Sequence, residues 1–160
     1  MTSGDLTATE LEHLERAVAL AQQARDRGNH PFGAVLVTPD GIILEGLNTV
    51  VTGADPTGHA ELNLVRQTGK LDATVLAASV MYASTEPCAM CAGSVYWSGV
   101  GRLVYALAAE ELTAIVADAA GVPPLRLPAR EVLGRGDRMV VVDGPVDLAS
   151  AKAVHEGFWS

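Results

Sequence analysis

Residues 79–107 read SVMYASTEPCAMCAGSVYWSGVGRLVYAL, and this run decides the fold. SVMYAS (79–84) is a short apolar run with the length of a buried strand. Pro87 follows where it can open a helix, since the first helical turn has no use for its missing N–H. That helix is expected to run to about Trp97, and RLVYAL (102–107) then gives a second strand. Two strands joined through a helix pair in parallel. Working outward, PFGAVLV (31–37) and IILEG (42–46) flank Thr38-Pro39-Asp40-Gly41, a turn sequence that predicts an antiparallel hairpin. Ahead of it, both Thr7 with Glu10 and Thr9 with Glu12 have capping-box spacing. Leu11, Leu14, Val18 and Ala21 then recur at helical intervals until Gly28. Residues 47–58 read as a loop, and 59–67 as a helix with Leu62 and Val65 on one face, ended by Gly69. Downstream, a helix is expected from Ala108 to Ala119, ending at Gly121. A Pro- and Arg-rich surface connection follows over 121–138, then a strand over 138–144 and a helix from Val146 to Phe158. The pattern is α/β: one domain over residues 1–160, with a mixed sheet between helices.

Bulk properties narrow the function. The 160 residues are 49% hydrophobic but only 4% aromatic, so the core must be built mainly from Ala, Val and Leu. Eleven Lys plus Arg against nineteen Asp plus Glu leave a net charge of -8, which opposes nucleic acid and anionic membranes. A small neutral or cationic substrate suits that field better. The first 30 residues carry no basic start followed by an apolar run, and no stretch approaches the roughly 20 apolar residues of a membrane span. A cytoplasmic location is expected, with no membrane association. Two cysteines three positions apart are, in such a chain, metal ligands or a redox pair rather than a structural disulfide.

Their neighbours favour metal. Cys88 and Cys91 lie i, i+3 on the first turn of the predicted helix, so both sulfurs face one side, and the helix N-terminus favours thiolate there. His59 opens an earlier helix, followed by Ala60 and Glu61. Three protein ligands leave one tetrahedral position for water, which zinc makes acidic enough to ionise near neutral pH. Glu61, two residues from His59, is placed to carry protons without being a ligand. A structural zinc site would need a fourth protein ligand, for which His13, His30 and His155 are the candidates. His13 reads as lying on the polar face of its helix, and the other two as surface or internally satisfied histidines. His-x-Glu followed by Pro-Cys-x-x-Cys is the known signature of zinc deaminases.

Through these residues, and through PFGAVLV, EGLNTV, DPTGHAELN, STEPCAMCAGSVYW and GRLVYA in that order, the chain resembles the cytidine deaminase-like superfamily. Within it, the likeness is to the branch of guanine deaminases and tRNA adenosine deaminases. The resemblance runs from about Pro31 to Tyr105 and implies a three-layer α/β/α fold around a mixed five-stranded sheet. It also implies one Zn2+ per subunit at the helix starts, held by His59, Cys88 and Cys91, and a homodimer or larger oligomer. Asn48 matches an asparagine that hydrogen-bonds the base, while Phe32 and Trp97 match aromatic positions of guanine deaminases. By their side chains alone, both are equally candidate core residues. Ala60 belongs to the same substrate-binding set. Glu110 or Glu111 stands where guanine deaminases carry an aspartate that reads the purine edge, and Phe158 and Trp159 stand where a terminal segment can cover a site. The resemblance therefore implies hydrolytic deamination of a nucleobase or nucleoside, with guanine to xanthine first. Alternatives are a tRNA-specific adenosine deaminase, a cytosine, cytidine or amino-triazine deaminase, and a metal-stabilised scaffold that does no chemistry. Arg126, Arg130, Arg135 and Arg138 form the only basic cluster, diluted by Glu131 and Asp137, and the last helix is not basic. Nucleic acid is thus not the expected partner.

Overall fold

The structure is a computed structural model, and residues 5–116 and 123–159 are described. In chain order the elements are α1 (Ala8–Asp26), β1 (Gly33–Val37), β2 (Ile43–Leu47), α2 (Ala60–Val65), α3 (Ala73–Ala77), β3 (Val80–Thr85) and α4 (Ala89–Ser98). They continue with β4 (Arg102–Leu107), α5 (Ala109–Val116), α6 (Ala129–Gly134), β5 (Val141–Asp143) and α7 (Ala149–Ala153). The strands form one five-stranded sheet in the order β2-β1-β3-β4-β5. β1 is antiparallel to β2 and β3, while β3, β4 and β5 run parallel. This is the mixed sheet between helices expected above.

Register sorts the core into two layers. Val35, Tyr82 and Val104 are paired across three strands and face α1 and α7. The next row, Leu36, Met81 and Leu103, faces the opposite way, towards α2, α4 and α6. Alternation of side chains along each strand makes this division unavoidable once the pairing is set. Two glycines let helices sit directly on the sheet. A Cβ on Gly33 would stand 2.2 Å from the Ala17 carbonyl oxygen of α1, and one on Gly46 only 2.3 Å from the Ala60 carbonyl oxygen of α2.

Of the two candidate capping boxes, the first is used: Thr7 Oγ1 accepts from the Glu10 N–H at 3.2 Å, and Glu10 Oε2 accepts from the Thr7 N–H at 2.9 Å. The other oxygen of Glu10 takes Arg102, whose Nε donates to Asp143 Oδ2 at 2.7 Å. One arginine thus joins the start of α1 to β4 and β5.

Several expectations need correction. The 121–138 connection contains α6, a six-residue helix behind Pro128, and α3 was not anticipated. The helix after β4 ends at Val116 among the described residues, and its expected continuation over 117–119 and stop at Gly121 lie outside them. β5 has three residues rather than seven, and α7 gives way after Ala153 to turns that carry the chain to Phe158. His13 is half-buried, its ring 5.3 Å from that of Tyr82, instead of lying on a purely polar face. The arginines are also spoken for. Arg130 donates to the Val142 and Gly144 carbonyls, Arg138 to those of Val95, Tyr96 and Val100, and Arg135 pairs with Glu131. Only Arg126 of the four has no partner among the described residues. No helix among those residues is long and apolar enough to cross a membrane.

Candidate active site

The loop before α2 is fastened by its own side chains. Asn63 Nδ2 donates to Leu47 O and Thr49 Oγ1, both at 2.9 Å, and Asp55 Oδ1 accepts from the Thr57 N–H at 2.9 Å. Asn29, 1% exposed at the end of α1, accepts from the Val51 and Thr52 amides. These bonds bring the chain to His59, the N-cap residue of α2, in one orientation. Cys88 is likewise the N-cap residue of α4, set by Pro87.

The ligand atoms of His59, Cys88 and Cys91 all lie within 4.8 Å of one another, with Cys88 Sγ 3.6 Å from His59 Nδ1. A tetrahedral zinc with Zn–S near ~2.3 Å and Zn–N near ~2.05 Å needs sulfur and nitrogen about 3.6 Å apart, so the donor set fits the ion in both chemistry and spacing. Cys88 is drawn down to about 4, first by its bond with Cys91 and next by His59. That same bond, and then burial, push Cys91 well above the usual thiol range. His59 is raised by its bond to Cys88. Two closely set sulfurs that share one proton are a site that a dication completes by replacing protons. No other grouping of three potential ligands occurs among the described residues, and His13, His30 and His155 stand outside this one.

Glu61 lies in the first turn of α2, 6% exposed. Burial is the main cause that pushes its carboxyl up to about 7, with the Cys88 thiolate adding to the shift. A carboxyl held near neutrality can take a proton and give it back.

Around this centre the structure gathers some of the expected substrate residues and scatters others. The Asn48 N–H donates to the Phe32 carbonyl at 3.1 Å, and Asn48 Oδ1 accepts from the Val50 N–H. The Asn48 amide nitrogen has no partner among the described residues. The Phe32 ring lies 5.4 Å from His155 and 6.2 Å from Trp159, while Phe158 and Trp159 meet edge to face at 4.8 Å. Trp159 Nε1 donates to His155 Nδ1 at 3.1 Å. His30 sits 5.4 Å from Trp159 and close enough to His59 to have its own pKa lowered by it, after burial. The terminal aromatics therefore pack against His30, Phe32 and His155 of the same chain. Arg25 pins them, donating to the Val154 and Glu156 carbonyls and lying over the Phe158 ring.

Trp97 is not brought to this centre. It is 85% exposed, nine residues along α4 from Cys88, which is about 14 Å of helix. The Ala60 side chain packs in the core with Leu64, so any contact with substrate falls to its backbone. The two glutamates separate. Glu111 pairs with Lys152 at 2.7 Å, whereas Glu110 lines a cavity of about 390 Å³ beside Cys88. Pro87, Leu112 and Leu127 line the same cavity.

Residues not anticipated as part of the site are His30, His155 and Glu86. His155 is 1% exposed, and its Nε2 has no partner among the described residues. Its proximity to Phe32 depends on chain ends meeting, which leaves no trace in local spacing. Glu86 gives a weak signal in its position beside Pro87.

A mixed sheet with His59 and Glu61 opening one helix and two cysteines opening another, all on one side, defines a zinc-dependent hydrolytic deaminase. Residues 7–107 match the cytidine and deoxycytidylate deaminase zinc-binding region, and the chain belongs to that family. It is 38% identical to a probable cytosine deaminase of Schizosaccharomyces pombe over 160 residues, covering 99% of this chain and 98% of that one. It is 45% identical to the guanine deaminase of Bacillus subtilis over 95 residues, covering 58% and 61%. The guanine deaminase structure from Nitrosomonas europaea superposes with a TM-score of 0.72 at 28% identity, covering 94% of this chain and 84% of that one. Relatives thus include deaminases named for cytosine, for guanine and for tRNA adenosine, and no single one of these substrates is singled out.

Proposed function

We propose that the protein deaminates a free nucleobase by hydrolysis, with cytosine first and guanine second. The observation that carries the reading is the buried Glu61 beside the His59, Cys88 and Cys91 cluster. His59, Cys88 and Cys91 would hold zinc, which would supply the Lewis acidity for water attack near neutral pH. Glu61 would take one proton from the attacking water and deliver it to the ring nitrogen next to the amine-bearing carbon. Once the carbon–oxygen bond has formed, Glu61 would take the remaining proton from the new hydroxyl and pass it to the amine; the carbonyl forms as the carbon–nitrogen bond breaks and ammonia leaves. Asn48 offers a free amide nitrogen to a ring carbonyl, and Phe32 and Trp159 offer faces on which a flat heterocycle stacks.

Cytosine is placed ahead of guanine because the likeness to the probable cytosine deaminase spans 99% of this chain, past β4, whereas that to the Bacillus subtilis guanine deaminase spans 58%. The guanine reading keeps support from the overall fold and from Glu110 beside the cavity. An RNA substrate is disfavoured by the net charge of -8 and by the commitment of Arg130, Arg135 and Arg138 to bonds within the chain. Ammonia release should be measured with cytosine, guanine, adenine, cytidine, guanosine, ammeline and an anticodon stem-loop RNA. Turnover of a free base is expected, and turnover of the RNA alone would overturn the reading. We also propose a homodimer in which the exposed face of α4, with Met90 and Trp97, meets a second copy, consistent with apolar side chains left 38% and 85% exposed there.

A further inference from the structure

We infer that Glu86 is a specificity-setting residue that acts by position, holding the two walls of the cavity beside Cys88 at a fixed separation. Its two side-chain oxygens are used on different elements. Oε2 accepts from the Ala109 N–H at 2.9 Å, and Oε1 from the Ala129 N–H at 3.0 Å. These are the first residues of α5 and α6. Neither N–H has an acceptor within its own helix, because the opening turn of a helix leaves its donors unpaired. The backbone of Glu86 is itself anchored, its N–H donating to the Leu107 carbonyl at 2.7 Å. Pro87 and the metal ligand Cys88 follow directly.

The cavity lies between the elements so joined. On one side stand Glu110 and Leu112 of α5, and on the other Leu125 and Leu127, just ahead of α6. Leu125 and Leu127 are 72% and 38% exposed, so apolar packing does little to hold that second wall. Ala109 and Ala129, the first residues of the two helices, are therefore both held by one side chain that sits two residues from the metal ligand. A carboxylate can accept two backbone N–H groups on separate oxygens. An amide cannot, because its NH2 would oppose the second N–H. The inference rests on the proposed nucleobase reading and adds to it that the ring reaches the ligand Cys88 through this cavity, whose width it assigns to Glu86.

The test compares zinc-loaded parent protein with Glu86→Gln, and with Glu131→Gln on the exposed side of α6 as a control. Three quantities are measured: zinc per chain, amide hydrogen exchange at Ala109 and Ala129, and kcat and KM for the base turned over best. For Glu86→Gln, zinc should stay at one per chain and one of the two amides should exchange at least ~10-fold faster. KM should rise roughly tenfold with kcat within about threefold, the scale of one lost buried hydrogen bond. The control should change none of these. General loosening of the fold would instead cost zinc and kcat together. Unchanged protection of both amides overturns the inference, and so does an unchanged KM with a loosened amide. If Glu86→Gln does not accumulate as folded protein, Leu127→Ala tests the wall itself, and there too an unchanged KM overturns it. Failure of the parent to turn over any free base would sink the substrate reading instead. The exchange measurement would then still decide whether Glu86 joins the two helices.

Discussion

Glu61 is a carboxyl with almost no water around it, two residues from a metal ligand. Such a group is costly to bury and is retained because it handles protons. Replacing it by Gln keeps the size and removes the basicity. Glu61→Gln is expected to hold one zinc and to lose at least ~10²-fold in rate. Steady-state ammonia release beside a metal assay checks this, and a fully active variant would remove Glu61 from the mechanism. His155 gives a second prediction. Burial, reinforced by Arg25, lowers its pKa to about 4. Below about 6.5 the unfolded chain takes a proton that the folded imidazole refuses until about 4, so stability falls as pH drops through that window. His155→Phe should flatten the loss between pH 7 and 4.5 by about 2 to 3 kcal/mol relative to the parent, read from urea unfolding. Equal slopes for both proteins would show that His155 does not titrate as its burial implies. At this scale the metal ligands and Glu61 were legible because their spacing alone puts them on helix starts. Trp97, matched to an aromatic position through the family likeness, stands half a revolution around α4 from Cys88 at 100° per residue.

Among the elements, α2 has the most demanding seat. Six residues are too few to be stable alone, and the helix is held by Leu64 in the core and by its contact with Gly46 on β2. With the Ala60 carbonyl 2.3 Å from where a Cβ would stand, Gly46→Ala must push α2 off the sheet, carrying His59 and Glu61 with it. A loss of at least ~1 to 3 kcal/mol is expected, together with weaker zinc retention. Thermal melting and competition with a chelator would measure both, and a variant with parental zinc affinity would contradict the account. The hairpin, the first helix and the strand, helix and strand run from β3 to β4 could be read from periodicity. α6 could not. Its sequence is Pro- and Arg-rich around a single turn and a half, and what ends the loop there is a carboxylate 43 residues upstream.

On the scale of the molecule, α4 presents Met90 and Trp97 to the outside while its buried face carries Cys91, Ala92 and Val95. Trp97→Asp is expected to convert a dimer into monomers in sedimentation while leaving zinc bound. A parent protein that sediments as a monomer would refute the proposed assembly. The sheet order, with β1 between the strands that precede the two ligand-bearing helices, was foreseeable only through the family likeness, since no local pattern says which strands are neighbours. The arginine between α1 and the far side of the sheet has one more outcome. Glu10 is at once the carboxylate of the helix cap and a partner of Arg102, which also holds Asp143. The first turn of the chain and the last strand therefore breathe as a single unit, although more than 130 residues separate them. As acid protonates Glu10, whose pKa the Thr7 amide and Arg102 hold low, both should fray in the same step, ahead of global unfolding.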